Sequence, residues 1–182
     1  MNNEQTEQSP EILIVEDSLI EAELLRRSLD RAGYRLVQAK NGEQGLELAR
    51  AHRPALIISD IQMPAMNGYQ LCEQIKYDDV LWDVPMILLA MLSEPEDIIR
   101  AISTGADAYI VKPFDEQTLL ERVRALLAQP ISRKRKEERR SEELEYNGTR
   151  HTVIGGGQQV LNLLLSVYEN SLNQNRDMIR IQ

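Results

Sequence analysis

The sequence contains three carboxylates and one ammonium group that could come together in a single polar site. Each follows a short apolar run of the sequence: Glu16 and Asp17, Asp60, and Lys112. Taken alone, Glu16 and Asp17 fit a solvated helix start, where the helix dipole favours acids. Three carboxylates within ~4 Å of one another, however, repel by about 4 kcal/mol per pair at an effective dielectric near 20. Their convergence would require a cation, and Mg²⁺, which takes oxygen ligands and keeps several waters, is the natural candidate.

The elements that would bring these residues together are strands alternating with helices. Five short runs read as strands that are buried on both faces: Ile12–Val15, Leu36–Val37, Leu56–Ile58, Met86–Leu89 and Tyr109–Val111. Segments of helical period lie between and after them, and Ser18 with Glu21 predicts a capping box at the first helix. The alternation predicts an α/β fold with a doubly wound, five-stranded parallel sheet. Ligands bind such sheets at the carboxyl ends of the strands, where the polar residues fall.

Three longer motifs occur in order along the chain: Val15-Glu16-Asp17, the block from Asp60 to Gly68, and the block from Gly105 to Phe114. Through them, residues 11–129 resemble the receiver domain of two-component response regulators, the family of the chemotaxis regulator. The resemblance implies a flavodoxin-like sheet of strand order 2-1-3-4-5. It also implies a histidine kinase or phosphotransfer protein as partner.

The same resemblance implies a role for each polar residue. Asp60 would be the phosphoacceptor, Lys112 would pair with the phosphoryl group, and the Lys112–Pro113 bond would be cis. Mg²⁺ would be held by Glu16, Asp17, Asp60 and the backbone carbonyl of Gln62. Such a receiver catalyses its own aspartyl phosphorylation and dephosphorylation, so its standing as an enzyme is left open, and we see no separate enzymatic output domain.

Position 90 departs from the family pattern. The family has Ser or Thr at the end of the fourth strand, whose hydroxyl donates a hydrogen bond to the phosphoryl group, and Ala90 has none. A hydrogen bond to a charged group contributes roughly 1.5 to 3 kcal/mol, so we expect phosphorylation to survive and conventional switching to be weakened. We expect Tyr109, the family's switch aromatic, to lie on a half-buried strand edge rather than to work as a switch.

The sequence divides into four parts. Residues 1–10 are expected to be a disordered N-terminus, 11–129 the receiver, 130–141 a charged linker, and 142–182 a β-hairpin followed by a long amphipathic helix. Asn147-Gly148 suits the hairpin turn. Positions alternately four and three residues apart predict a coiled-coil seam: Leu161, Leu165, Tyr168, Leu172, Asn175 and Ile179. We expect a homodimer through residues 157–180, with a helix docked on its own chain as the alternative.

Composition limits the function classes. The net charge of −8 opposes non-specific DNA binding, and the absence of a long apolar run opposes membrane insertion, so we expect a cytoplasmic protein that binds neither. The leading hypothesis is a response regulator that signals through its C-terminal dimerising or adaptor segment, with a phosphorelay shuttle close behind. The alternatives are a non-switching receiver scaffold for protein contacts and the N-terminal part of a longer hybrid sensor protein.

Overall fold

A five-stranded parallel sheet of order β2-β1-β3-β4-β5 forms the centre of the protein. The computed structural model describes residues 9–91, 95–128, 141–146 and 148–154. The strands of the sheet are β1 Glu11–Val15, β2 Arg35–Ala39, β3 Leu56–Asp60, β4 Met86–Ala90 and β5 Ala108–Val111. The predicted flavodoxin-like α/β fold and its strand order are confirmed.

Five helices connect or follow these strands: α1 Leu19–Arg31, α2 Gly42–His52, α3 Gly68–Tyr77, α4 Pro95–Thr104 and α5 Glu116–Leu127. Four begin at a side chain that accepts a backbone N–H of the first turn: Ser18, Asn41, Asn67 and Asp115. Such caps satisfy N–H groups that have no partner within the helix, so they fix where each helix starts relative to the preceding strand.

Both faces of the sheet are buried at β1, β3, β4 and β5, as their continuously apolar runs predict. The same prediction is wrong for the edge strand β2, where Leu36 and Val37 are only partly buried. In β1, Leu13 and Val15 face one apolar core, which also contains side chains of α2 and α3. Ile12 and Ile14 face the other core, together with Leu25 of α1 and side chains of α5. Because successive side chains of a strand point to opposite faces, one apolar run serves both layers and holds the strand ends in a fixed register.

A two-stranded antiparallel hairpin follows the receiver, formed by β6 Ser141–Tyr146 and β7 Thr149–Ile154. Strand β7 lies against α4. The predicted helix and coiled-coil seam over 157–180 fall outside the described residues, as does most of the predicted linker. None of the helices in the described ranges combines the length and the apolar character that crossing a bilayer requires.

Candidate functional site

The carboxyl edge of the sheet brings together three of the predicted residues. Glu16 comes directly after β1, Asp60 is the last residue of β3, and Lys112 comes directly after β5. Strand β3 pairs with β1 on one side and with β4 on the other, and β4 pairs with β5. The Lys112 N–H donates to the Ala90 carbonyl at 2.6 Å. The backbone hydrogen bonds between β4 and β5 therefore continue as far as Lys112.

The ammonium of Lys112 lies among the acids of this edge. Its Nζ is 3.0 Å from Asp60 Oδ1 and 3.7 Å from Glu16 Oε2. It also donates a hydrogen bond to Glu21 Oε2. Carboxylate oxygens of Glu16, Glu21 and Asp60 lie within 4.8 Å of one another. The site is therefore a group of three carboxylates with the Lys112 ammonium between them.

Gly68 allows the loop after Asp60 to fold tightly under the site. Its N–H donates to the Ile61 carbonyl at 3.0 Å. A Cβ at this position would stand 2.3 Å from the Asp60 carbonyl oxygen and 2.8 Å from Ile61 Cα, which no side chain tolerates. Only glycine permits this approach of the α3 N-terminus to the end of β3.

Burial shifts the pKa values of the groups at this site. It raises the pKa of Glu16 to about 7, against a hydrogen bond from the Ser18 N–H, while the nearby charge of Asp60 raises it further. Burial also raises the pKa of Asp60, although the Lys112 ammonium opposes this. For Lys112, burial lowers the pKa, but the hydrogen bonds to Glu21 and Asp60 outweigh it and the pKa is raised. The lysine is a firmly charged partner for anions.

A buried oxygen of Glu16 shows that the site suits a metal ion. Glu16 is 2% exposed, and its Oε2 has no hydrogen-bond partner among the residues that the structure describes. A buried carboxylate oxygen without a hydrogen bond is costly. A hard cation such as Mg²⁺, which prefers oxygen ligands, would satisfy it, so the donor set fits this ion.

The other predicted site residues are placed less centrally. Asp17 is exposed and does not belong to the group of close carboxylates. Gln62 is exposed in the loop after β3, and the Lys112–Pro113 peptide bond is cis. The structure thus brings Glu16, Asp60 and Lys112 together and leaves Asp17 on the solvent side.

Glu21 is a site residue that the sequence reasoning missed, because its spacing from Ser18 suggested a capping box. Only half of that box forms. Ser18 Oγ accepts the Glu21 N–H at 3.4 Å, but the Ser18 N–H donates to Glu16 Oε1 at 3.0 Å. The Glu21 carboxylate therefore turns to Lys112. The available signal was its place in the first turn of a helix that starts beside the strand-end acids.

Ala90 and Tyr109 belong to the same apolar core. Ala90 is 6% exposed and contributes only a methyl group. The expectation that Tyr109 lies on a half-buried strand edge is wrong, because the side chain is 0% exposed. Both residues belong to the core that also contains Ala101 of α4.

Known proteins resemble this chain over the residues of the sheet and its helices. Residues 12–124 match the family described as the response regulator receiver domain. The DNA-binding dual master transcriptional regulator RpaA of Synechocystis sp. is 38% identical over 118 residues, which are 65% of this chain and 49% of RpaA. Protein PilH of Pseudomonas aeruginosa is 37% identical over 117 residues, which are 64% of this chain and 97% of PilH.

A solved structure shows the same fold. It is the signal receiver domain of a signal transduction histidine kinase from Syntrophus aciditrophicus, with 40% identity and a TM-score of 0.63, and the match covers 68% of this chain and 98% of that one. The chain spans about half the length of the transcriptional regulators that it matches. Since the family match covers well over half of its residues, the chain belongs to the response regulator receiver family of two-component signalling.

Proposed function

We propose that Asp60 accepts a phosphoryl group from a phosphohistidine of a histidine kinase or phosphotransfer protein. A carboxylate oxygen of Asp60 forms the new bond to phosphorus, the bond from phosphorus to the donor imidazole breaks, and the imidazole nitrogen keeps the electron pair. The observation that carries the proposal is the Lys112 ammonium 3.0 Å from Asp60 Oδ1, inside a group of three acids of which Glu16 and Asp60 are buried.

Charge neutralisation supports this assignment. In phosphoryl transfer the protein contributes mainly positioning and electrostatic stabilisation. Lys112 is fixed by the end of β5 and stays protonated, so it can pair with a transferred phosphoryl oxygen. Asp60 is 6% exposed, and burial keeps competing water away from its carboxylate.

Mg²⁺ belongs to the proposal as the cofactor. Glu16 and Asp60 would hold it, together with Asp17 and the backbone carbonyl of Gln62. The buried Glu16 oxygen without a hydrogen-bond partner among the described residues supports the presence of a cation. When bound, Mg²⁺ supplies charge neutralisation for the carboxylates and the phosphoryl oxygens.

The surface beside the site suits a protein partner. Helix α1 exposes three large apolar side chains near the acids: Leu19 at 71%, Ile20 at 76% and Leu24 at 60%. An open groove of about 750 Å³ runs from Glu16 and Lys112 between α1 and the start of α5, and Leu24 lines it. Exposed apolar groups next to a reactive acid support docking of the phosphodonor protein on α1.

Incubation with acetyl phosphate and Mg²⁺, followed by intact-mass analysis, tests the phosphoacceptor. We expect one phosphoryl group per chain, lost in Asp60→Asn and retained in Asp83→Asn, whose carboxylate is paired with Arg53 away from the site. Removal of Mg²⁺ with a chelator should abolish uptake. Undiminished labelling of Asp60→Asn would refute the assignment.

The proposed output is the C-terminal segment, which we expect to dimerise through residues 157–180. The contact of β7 with α4 supports a route from the receiver to that segment. Light scattering of the full chain against a chain ending at Gln129 tests it. We expect a dimer and a monomer respectively, and a monomeric full chain at tens of micromolar would exclude dimerisation.

DNA binding is not part of the proposal. RpaA carries it in its name, but only about half of RpaA is matched here, and the present chain has a net charge of −8. A non-switching scaffold is the second candidate, because Ala90 lacks the hydroxyl and Tyr109 is already buried. Phosphoryl uptake without any change in the α4 surface would favour the scaffold.

A further inference from the structure

We propose that Glu21 is a positioning residue that holds the Lys112 ammonium in the unphosphorylated receiver and competes with the phosphoryl group for it. The inference rests on the proposed function and deepens it, because it concerns the same site. Glu21 would affect the phosphorylation equilibrium without contacting the reacting atoms.

The local backbone aims Glu21 at the lysine. Its N–H is bound by Ser18 Oγ, which fixes the residue in the first turn of α1. In a complete capping box the Glu21 carboxylate would accept the Ser18 N–H. Glu16 Oε1 accepts that N–H instead, at 3.0 Å. The Glu21 side chain is thereby free to reach across to Lys112 and accept its hydrogen bond.

Lys112 has three N–H donors, and the acids of the site share them. Asp60 Oδ1 and Glu21 Oε2 both accept from Nζ, and Glu16 Oε2 lies 3.7 Å away. A phosphoryl group on Asp60 would bring three strong acceptor oxygens and additional negative charge to the same place. It would draw the ammonium away from Glu21, and the two anions would repel each other.

Exposure separates Glu21 from Glu16 and Asp60, the two buried residues among the proposed metal ligands. The side chain of Glu21 is 44% exposed, whereas those of Glu16 and Asp60 are 1% and 8% exposed. Glu21 therefore sits at the rim, between solvent and the lysine. From there it stabilises the unphosphorylated arrangement of Lys112 without occupying the buried position beside Glu16.

The test is the affinity of the full chain for beryllium fluoride at fixed Mg²⁺, measured by calorimetry. Glu21→Gln removes the charge and keeps the shape, so we expect roughly threefold tighter binding, the size expected for a half-exposed ion pair. Glu23→Gln is the matched control. Glu23 lies on the same helix, is 41% exposed and pairs only with Arg26 and Arg27 in the described part of the chain. The Glu23→Gln variant should therefore bind beryllium fluoride with the affinity of the native protein.

A double-mutant cycle with Lys112→Ala shows whether the effect passes through the lysine. In the Lys112→Ala background, Glu21→Gln should give a smaller gain than in the native protein, because only the repulsion between the two anions is then relieved. A purely structural role for Glu21 would not produce this difference. Affinity for Mg²⁺ alone should change by less than about twofold.

Several results would overturn the inference. Equal affinities of Glu21→Gln and Glu23→Gln, weaker beryllium fluoride binding in Glu21→Gln, or an equal gain in the Lys112→Ala background each contradict it. A loss of Mg²⁺ affinity above about tenfold would make Glu21 a metal ligand instead. Failure of the native protein to bind beryllium fluoride at all would refute the proposed function as well, so the two failures are distinguishable.

Discussion

Tyr69 of α3 and Tyr109 of β5 are hydrogen bonded to each other inside the core under α4. The Tyr69 hydroxyl in turn donates to the Asp97 carbonyl of α4 at 3.3 Å, and the Arg100 guanidinium lies 4.6 Å from the centre of the Tyr69 ring. Two phenol hydroxyls thus connect β5 to α4 in a receiver whose β4 ends in Ala90 and offers no hydroxyl there.

Removing the Tyr69 hydroxyl should destabilise the receiver. Tyr69 is 4% exposed, so Tyr69→Phe keeps the ring but leaves the Tyr109 hydroxyl without this partner. We expect the free energy of unfolding to fall by about 1 to 2 kcal/mol, the cost of breaking a buried hydrogen bond. Urea denaturation measures it. Tyr77→Phe, at a side chain 71% exposed, is the control and should change stability by less than about 0.5 kcal/mol.

The same pair predicts a loss of stability in alkali. Burial raises the pKa of Tyr69 from 10.0 to about 12. Above pH 10 the unfolded chain ionises this phenol while the folded chain still holds the proton, so stability present below pH 10 is lost as pH rises towards 12. The stability advantage of the native protein over Tyr69→Phe should therefore shrink between pH 10 and 12 in urea titrations. An advantage that is constant with pH would contradict the cause given for the shift.

The sequence predicts the secondary structure and topology of this protein better than it predicts contacts between side chains that are far apart in the chain. The strands and caps follow from apolar runs and from residues such as Ser18, and the parallel topology brings Asp60 and Lys112 to one edge. Glu21 and Tyr69 were missed because their partners are 91 and 40 residues away in the chain. Their side chains reach those partners only once the helices pack, which no local spacing records.

Breaking a buried ion pair at the opposite end of the sheet should lower the free energy of unfolding more than breaking a pair whose cation is exposed. Lys76 is 3% exposed, and its Nζ donates at 2.7 Å both to Asp107 Oδ2 and to the Val84 carbonyl. Lys76→Met would leave a buried carboxylate without its cation, which costs about 3 to 5 kcal/mol. Chemical denaturation of the variant measures this loss.

An ion pair whose cation is exposed supplies the comparison for that loss. Arg50 lies 3.1 Å from Asp78, and its side chain is 56% exposed. Arg50→Met should change the free energy of unfolding by less than about 1 kcal/mol, because water solvates the Arg50 guanidinium and Asp78 keeps its hydrogen bonds from the Val80 and Leu81 N–H groups. Equal losses in Arg50→Met and Lys76→Met would show that burial does not decide the contribution of these pairs.

Restoring a hydroxyl at position 90 should strengthen the response to phosphorylation. Ala90 is 6% exposed at the end of β4, and its carbonyl accepts the Lys112 N–H, so a hydroxyl there would lie next to the phosphorylation site. In Ala90→Thr with Mg²⁺ and beryllium fluoride, we expect a larger change in backbone amide protection of α4 than in the native protein. A hydrogen bond to the charged adduct, worth roughly 1.5 to 3 kcal/mol, provides the bias.

Ala90→Val is the matched control, because valine has nearly the shape of threonine and lacks its hydroxyl. We expect Ala90→Val to respond to beryllium fluoride no more than the native protein does. The measurement is hydrogen exchange of α4 with and without the adduct in all three proteins. If threonine and valine enhance the change equally, side-chain volume beside Tyr109 limits switching. If neither enhances it, the Tyr69 and Tyr109 hydroxyls already hold α4 in place, and the missing hydroxyl of Ala90 is not what restrains the receiver.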